Sequence, residues 1–311
     1  MRDGVKLAVG TLSVLPAPMP GKIDRRVAGQ AMGFAPVVGL LLGGISAAVV
    51  AGVGALKPEA PLLAAVLGVV VLMALSGALH LDGLADTADG LGSRRDRETM
   101  LRIMKQSDIG PFGVASIAGV LLVDVAALTT CAQAGFGWQA ILIAAVASRL
   151  TLPWSCRTSV PSARPDGLGA MVASTVRPAV AAIITAATVL CAVAFALLAA
   201  PTTRGQLLTS DGGISRMYGE GISGVYGEGL RGSAPTSGGG IWVGVEGTPA
   251  TTDVNALQLL GAGLAVLVAV AVGVLVVRRA RKALGGITGD VLGAAVELAL
   301  PAALLTLALT T

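Results

Sequence analysis

Asp82, Asp86 and Asp89 put three carboxylates into eight residues of the stretch GALHLDGLADTADGLG, Gly77 to Gly92. Their spacing is i, i+4, i+7. At about 100° per residue on a helix, the three side chains project within roughly 60° of one another. Like charges on one stripe repel, and no basic residue stands between them. Hard carboxylate oxygens are what Mg2+ accepts, so the triplet reads as a metal site for phosphate chemistry. The plainer alternative is a solvated helix end, where aspartate favours the first turn. His80, the only histidine of the chain, stands two residues before Asp82. Its imidazole offers a general base or a proton relay, or else a capping and interfacial side chain.

Three further polar stretches carry complementary chemistry. SRRDRETMLRIMKQSDIGPFG, Ser93 to Gly113, supplies Arg94, Arg95, Arg102 and Lys105 as phosphate clamps before Gly110, Pro111 and Gly113 break it. SRLTLPWSCRTSVPSARPDGLGA, Ser148 to Ala170, places Arg149 at a helix end and then a rigid, charged turn, Arg164-Pro165-Asp166-Gly167. In RRARKALGGITGDVLGA, Arg278 to Ala294, glycines 285, 286 and 289 free the backbone to approach a phosphate. Thr288 and Asp290 supply oxygens at the helix start that follows. One glycine-rich turn is a weak signal. Four polar stretches converging on one face are a stronger one.

The elements that must position these loops are membrane helices. Hydrophobic residues make up 54% of the chain and charged residues 13%, against about 25% charged in soluble domains. Mean hydropathy is +0.81. Apolar runs long enough for a ~30 Å core lie at about 33–55, 60–79, 113–132, 137–154, 179–200, 256–277 and 291–310. The expected fold is all-α: one polytopic transmembrane catalytic domain over 1–311 with about seven helices, packed closely through small residues. The first thirty residues lack a compact apolar region followed by a cleavage site, so no signal peptide is expected. With the N-terminus in the cytoplasm, eighteen lysines and arginines fall on the inner side and four on the outer. That bias orients the chain and places every polar motif at the cytoplasmic face of the membrane.

Cys131, Cys156 and Cys191 lie in or beside spans without ligand spacing and read as packing residues. Asp124 and Glu297 are intramembrane carboxylates, a costly placement. Glu297 lies seven residues after Asp290, on one helical stripe, and is expected to face the bundle interior. Pairing Asp124 with Arg149 is attractive, although Arg149 is expected nearer the cytoplasmic end. Residues from about 205 to 254 form a glycine-rich, slightly acidic stretch with a near-repeat, MYGEGISG then VYGEGLRG, at 217–232. This reads as a flexible insertion on the outer side, with a small hairpin as the alternative.

The run HLDGLADTADGLG followed by DRETMLRIMKQSDIGPFG resembles the signature of the cobalamin synthase family, the adenosylcobinamide-GDP ribazoletransferases. ARPDGLGA and LGGITGDVLGAAVEL resemble its second and third signatures, and TLSVLPAPMP with GFAPVVGLLLG its usual opening. The resemblance covers roughly 1–200 and 256–311. It implies a bacterial inner-membrane transferase, active at the cytoplasmic face. The implied substrates are adenosylcobinamide-GDP and α-ribazole or its 5′-phosphate. A ribose hydroxyl of the acceptor attacks the corrinoid-linked phosphorus, and GMP leaves. The implied cofactor is Mg2+, held by Asp82, Asp86 and Asp89. Arg94, Arg102, Lys105 and Arg164 match basic positions assigned here to phosphate binding, and Arg149, Thr288 and Asp290 join the substrate-binding set. Displacement at a pyrophosphate needs charge neutralisation and an acceptor hydroxyl deprotonated late, with Asp89 or His80 to assist.

Two rivals have a basis in the residues. A CDP-alcohol phosphotransferase would show D-x-x-D-G-x-x-A-R, nearly met by DTADGLGSR, Asp86 to Arg94, with Ser93 in place of alanine. The glycine and two aspartates expected downstream fall on Ile103, Ser107 and Pro111. A cation-coupled transporter would show midplane charges on several helices and paired repeats, which the span pattern lacks. Partners beyond the substrates are the lipid bilayer and no nucleic acid; homo-oligomerisation stays open.

Overall fold

The structure is a computed structural model that describes residues 2–18, 20–199 and 251–311. The near-repeat and almost all of the expected insertion lie outside the described residues. The described chain is helical, with isolated bridges pairing Arg157 with Val176 and Ser162 with Ile287 and no strand.

Two short helices come first, α1 (Arg2–Leu12) and α2 (Arg25–Gly33). Asp24 caps α2 by accepting the Val27 N–H at 2.8 Å. Then follow α3 (Ala35–Leu56), α4 (Pro61–Leu75), α5 (Leu79–Gly92), α6 (Arg97–Ile103), α7 (Pro111–Gln133), α8 (Gly137–Arg149), α9 (Thr151–Ser155), α10 (Gly167–Val172) and α11 (Pro178–Ala199). The last two are α12 (Thr251–Leu284) and α13 (Gly289–Ala308).

Among the described residues, five helices are long and apolar enough to cross a membrane: α3, α7, α11, the Ala256–Leu284 part of α12, and α13. The pair α4 and α5 makes a sixth if taken together, but it is bent by 87°. Length and composition thus give five or six against the expected seven or so, and two runs account for the difference. The 60–79 run stops at a left-handed turn. The Ala78 N–H donates to the Met73 carbonyl and the Gly77 N–H to the Ala74 carbonyl, both at 3.0 Å. Gly77 has φ +64° and Ala78 φ +54°. This is a Schellman cap with glycine at the left-handed position, and it ends α4 outright. The 137–154 run is interrupted at Leu150. Pro153 has no N–H to give the Arg149 carbonyl, so the backbone bond that would carry the helix through is missing. The 13 residues of α8 rise about 20 Å, short of the hydrocarbon thickness.

The bundle is organised around α13, which packs against α5, α7, α8 and α12. Alanine, valine, leucine and glycine dominate its faces, and the helices approach through those small side chains rather than through aromatic wedges. Cys131 and Cys156 are buried as expected, whereas Cys191 is exposed on α11. It is not a packing residue within the chain, because α11 contacts the bundle along one face only.

Candidate functional site

The site forms where α5 crosses the start of α13. A Cβ on Gly83 would stand 2.8 Å from the Asp290 carbonyl oxygen, and one on Gly293 3.0 Å from the His80 carbonyl oxygen. Only residues without a side chain let the two backbones come this close. The crossing brings the α5 carboxylates Asp82 and Asp86 into the electrostatic field of Asp290.

Asp290 is held in place locally. Thr288 caps α13, accepting the Val291 N–H at 3.2 Å, and its hydroxyl donates to Asp290 Oδ2 at 3.1 Å. Arg164 Nη1 lies 3.7 Å from the same oxygen, while Arg164 Nη2 donates to the Leu101 carbonyl at 2.6 Å. Arg97 fixes the loop one residue earlier: its Nε donates to the Leu284 carbonyl at 2.7 Å and its Nη2 to the Ala163 carbonyl at 2.9 Å. On the outer rim, Lys105 Nζ stands 3.5 Å from Asp166 Oδ2. Asp96, outside the cavity, caps α6; hydrogen bonds from the Thr99 N–H and hydroxyl hold its carboxyl below the usual range.

These groups surround a cavity of about 360 Å3 with an apolar wall that includes Leu12 and Met32. Three carboxylates line it, Asp82, Asp166 and Asp290, against two cations, Lys105 and Arg164. Asp86 adds a fourth negative charge within Coulombic reach. Such a cavity repels a phosphate unless cations enter with it. His80 also lines it, is 3% exposed, and has no hydrogen-bond partner on either ring nitrogen.

Six of the residues given a catalytic, metal or substrate role from the sequence line this cavity: His80, Asp82, Lys105, Arg164, Thr288 and Asp290. The expected aspartate trio is split. Asp89 turns to the neighbouring helix, where its Oδ2 accepts the Gly110 N–H at 2.7 Å and its Oδ1 the Gly113 N–H at 2.9 Å. It caps α7, because α5 is wedged between α13 and α7 and its acidic stripe fans across both. Asp290 joins Asp82 and Asp86, while Asp89 stays within Coulombic reach of Asp86 from the α7 side. Among the described residues, no three histidine, cysteine or carboxylate side chains sit close enough to hold an ion on their own. Arg149 is also displaced from its expected role. It is 1% exposed, deep in the bundle, and borders a void of about 10 Å3 together with Asp124 and Glu297. The inward direction of Glu297 is as expected. Arg94 and Arg102 are exposed and do not border the cavity.

Sequence reasoning passed over Arg97 and the Gly83/Gly293 crossing and gave Asp166 no role of its own. Asp166 was visible in the charged turn. Arg97 acts on backbone carbonyls 66 and 187 residues away, and no local pattern encodes such partners.

Comparison with known proteins agrees with the geometry. The family description "Cobalamin-5-phosphate synthase" matches residues 4–308. A Frankia casuarinae protein named adenosylcobinamide-GDP ribazoletransferase is 39% identical over 313 residues, covering 98% of this chain and 94% of its own length. A Nocardioides protein of the same name is 35% identical, with 98% of each chain covered. One from Chlorobaculum parvum is 41% identical over 54% of this chain and 63% of its own. No solved structure matches. With the signatures in order along the chain and their polar residues gathered at one helix crossing, the chain belongs to the cobalamin-5-phosphate synthase family.

Proposed function

We propose that the cavity between α5 and α13 is where this chain joins adenosylcobinamide-GDP to α-ribazole, or its 5′-phosphate, with release of GMP. The observation that carries the reading is the gathering of Asp82, Asp86, Asp290, Arg164 and unpaired His80 at one crossing. An acceptor hydroxyl attacks the corrinoid-linked phosphorus. The new P–O bond forms as the bond to the bridging oxygen breaks, and GMP carries away the electron pair. The hydroxyl proton passes to His80 or Asp89: His80 lines the cavity, and each Asp89 oxygen keeps a lone pair beside the one α7 amide it accepts. Arg164, held by Leu101 and Asp290, presents its guanidinium to the phosphates, and Lys105 neutralises charge at the rim.

The donor set suits Mg2+, which binds through one or two carboxylates plus substrate phosphates rather than in a closed protein cage. Asp82 and Asp290, which line the cavity, are the residues that would hold it together with substrate phosphates, with the Asp86 charge nearby. When bound, it supplies the charge neutralisation that the excess of carboxylates otherwise denies to a pyrophosphate. The positive-inside bias places this face in the cytoplasm with the N-terminus on the same side, in a bacterial inner membrane. The 87° bend is consistent with α4 and α5 forming one broken span, α4 crossing and α5 lying at the face where Lys105 meets Asp166.

Incubating the purified full chain in detergent with adenosylcobinamide-GDP, α-ribazole and Mg2+ tests the reading. A cobamide peak with stoichiometric GMP is expected by chromatography. GMP release without α-ribazole, or no product at all from membrane-competent protein, contradicts it.

A further inference from the structure

A second groove lies on the bilayer-facing side, away from the catalytic cavity. It runs between α3, α8 and α11, holds about 630 Å3, and is walled by Val37, Leu40, Leu142, Ile183, Ala187 and Phe195. At one end it joins a polar mouth of about 480 Å3, the two sharing Gly33, Phe34 and Ile184. The mouth is lined by Arg26, Gln30 and Arg177. Arg177 is the residue just before the α11 span begins at Pro178, so the mouth sits where an apolar span meets the polar interface.

The two arginines of the mouth differ from their neighbour. Arg25 spends its guanidinium on the Ala170 and Ala173 carbonyls, tying α2 to the loop behind the catalytic cavity. Arg26 and Arg177 are exposed and, among the described residues, neither makes an ion pair or a side-chain hydrogen bond within the chain. Two free guanidiniums at the interfacial end of an apolar slot have the charge and shape of a phosphate headgroup followed by an acyl chain. The Trp138 and Phe195 rings, 5.4 Å apart edge to face, stiffen the far wall.

We infer that this groove is a binding site for one anionic glycerophospholipid, its phosphate between Arg26 and Arg177 and one acyl chain along α11. The occupant is a membrane lipid rather than a soluble phosphate, because the mouth opens directly into the apolar groove. Binding there braces α2 and the start of α11, which flank the 157–177 loop carrying Arg164 and Asp166.

Native mass spectrometry of the purified full chain, titrated with phosphatidylglycerol or phosphatidylcholine of identical acyl chains, tests this. The wild type is expected to retain one phosphatidylglycerol, with a preference on the order of 10-fold over phosphatidylcholine. Arg26→Gln with Arg177→Gln should erase the preference while leaving weak retention of both lipids. Ala187→Trp, which fills the slot from an exposed position, should weaken both. Glycerol 1-phosphate should not displace the lipid. Equal retention of the two lipids by the wild type, no retention of either, or displacement by glycerol 1-phosphate would overturn the proposal. So would a double arginine variant that keeps the full preference.

Discussion

Two acidic clusters lie two turns apart on the same helix. At the start of α13, Asp290 meets Asp82 and Asp86 across a glycine crossing, beside a cavity of about 360 Å3. Deeper along α13, Glu297 meets Asp124 and Arg149 around a void of about 10 Å3, room for about one water. The residue types are nearly the same. What differs is room: the first cluster borders a space large enough for phosphates and a cation, the second a void that holds no more than about one water. Excess negative charge is tolerable in the first because a ligand can neutralise it, and in the second only because a guanidinium is built in. An intramembrane carboxylate is therefore not by itself a sign of chemistry in this protein; the space in front of it decides.

The comparison is broken most forcefully at Arg149. Arg149→Met leaves Asp124 and Glu297 buried without a counter-charge, and should cost about 3–5 kcal/mol. Thermal unfolding in detergent measures it. The triple variant Arg149→Met, Asp124→Leu, Glu297→Leu should recover most of the loss, because the penalty comes from the orphaned charges. If the single variant melts with the wild type, the deep cluster is not a structural ion group.

Next in size is the proposed transfer cluster. Asp290→Asn or Asp82→Asn should lower turnover about 10²–10³-fold, about 2.7–4 kcal/mol of barrier, at unchanged melting temperature. Gly83→Ala attacks the same site through the backbone. Its methyl would press on the Asp290 carbonyl at 2.8 Å, separating α5 from α13. Turnover should fall at least about 10-fold, about 1.4 kcal/mol of barrier. Steady-state rates at equal membrane abundance check both, and unaltered rates for Gly83→Ala would mean that the crossing has slack.

The smallest effect separates Asp89 from its former partners. Asp89→Ala removes the cap of α7 and should cost about 0.5–2 kcal/mol of stability. Its effect on turnover at permissive temperature should be slight, read from melting curves set beside rates.

The sequence made some of this legible and not the rest, for physical reasons. Hydropathy located every apolar run, but run length does not report a bend. The α4 break rests on one left-handed glycine, and the α8 break on a proline whose missing partner is four residues back. Thr288 and Asp290 were readable as a helix start, since cap chemistry is local. The capping of α7 by Asp89 was not legible, because i, i+4, i+7 spacing fixes a stripe but not the neighbours on either side of it. Charge beside an apolar run looks the same whether it ends in water or turns inward, so the sequence left Arg149 open between the substrate set and Asp124, with which it borders the deep void.

The central claim is that Asp290, and not Asp89, completes the acidic cluster of the transfer site. The direct test is the Mg2+ dependence of cobamide formation by Asp290→Asn and Asp89→Asn, measured side by side in detergent. The account predicts that Asp290→Asn raises the Mg2+ needed for half-maximal rate by about tenfold or more, equivalent to at least ~1.4 kcal/mol. Asp89→Asn should keep the wild-type value. A raised Mg2+ requirement for Asp89→Asn together with a wild-type value for Asp290→Asn would contradict it.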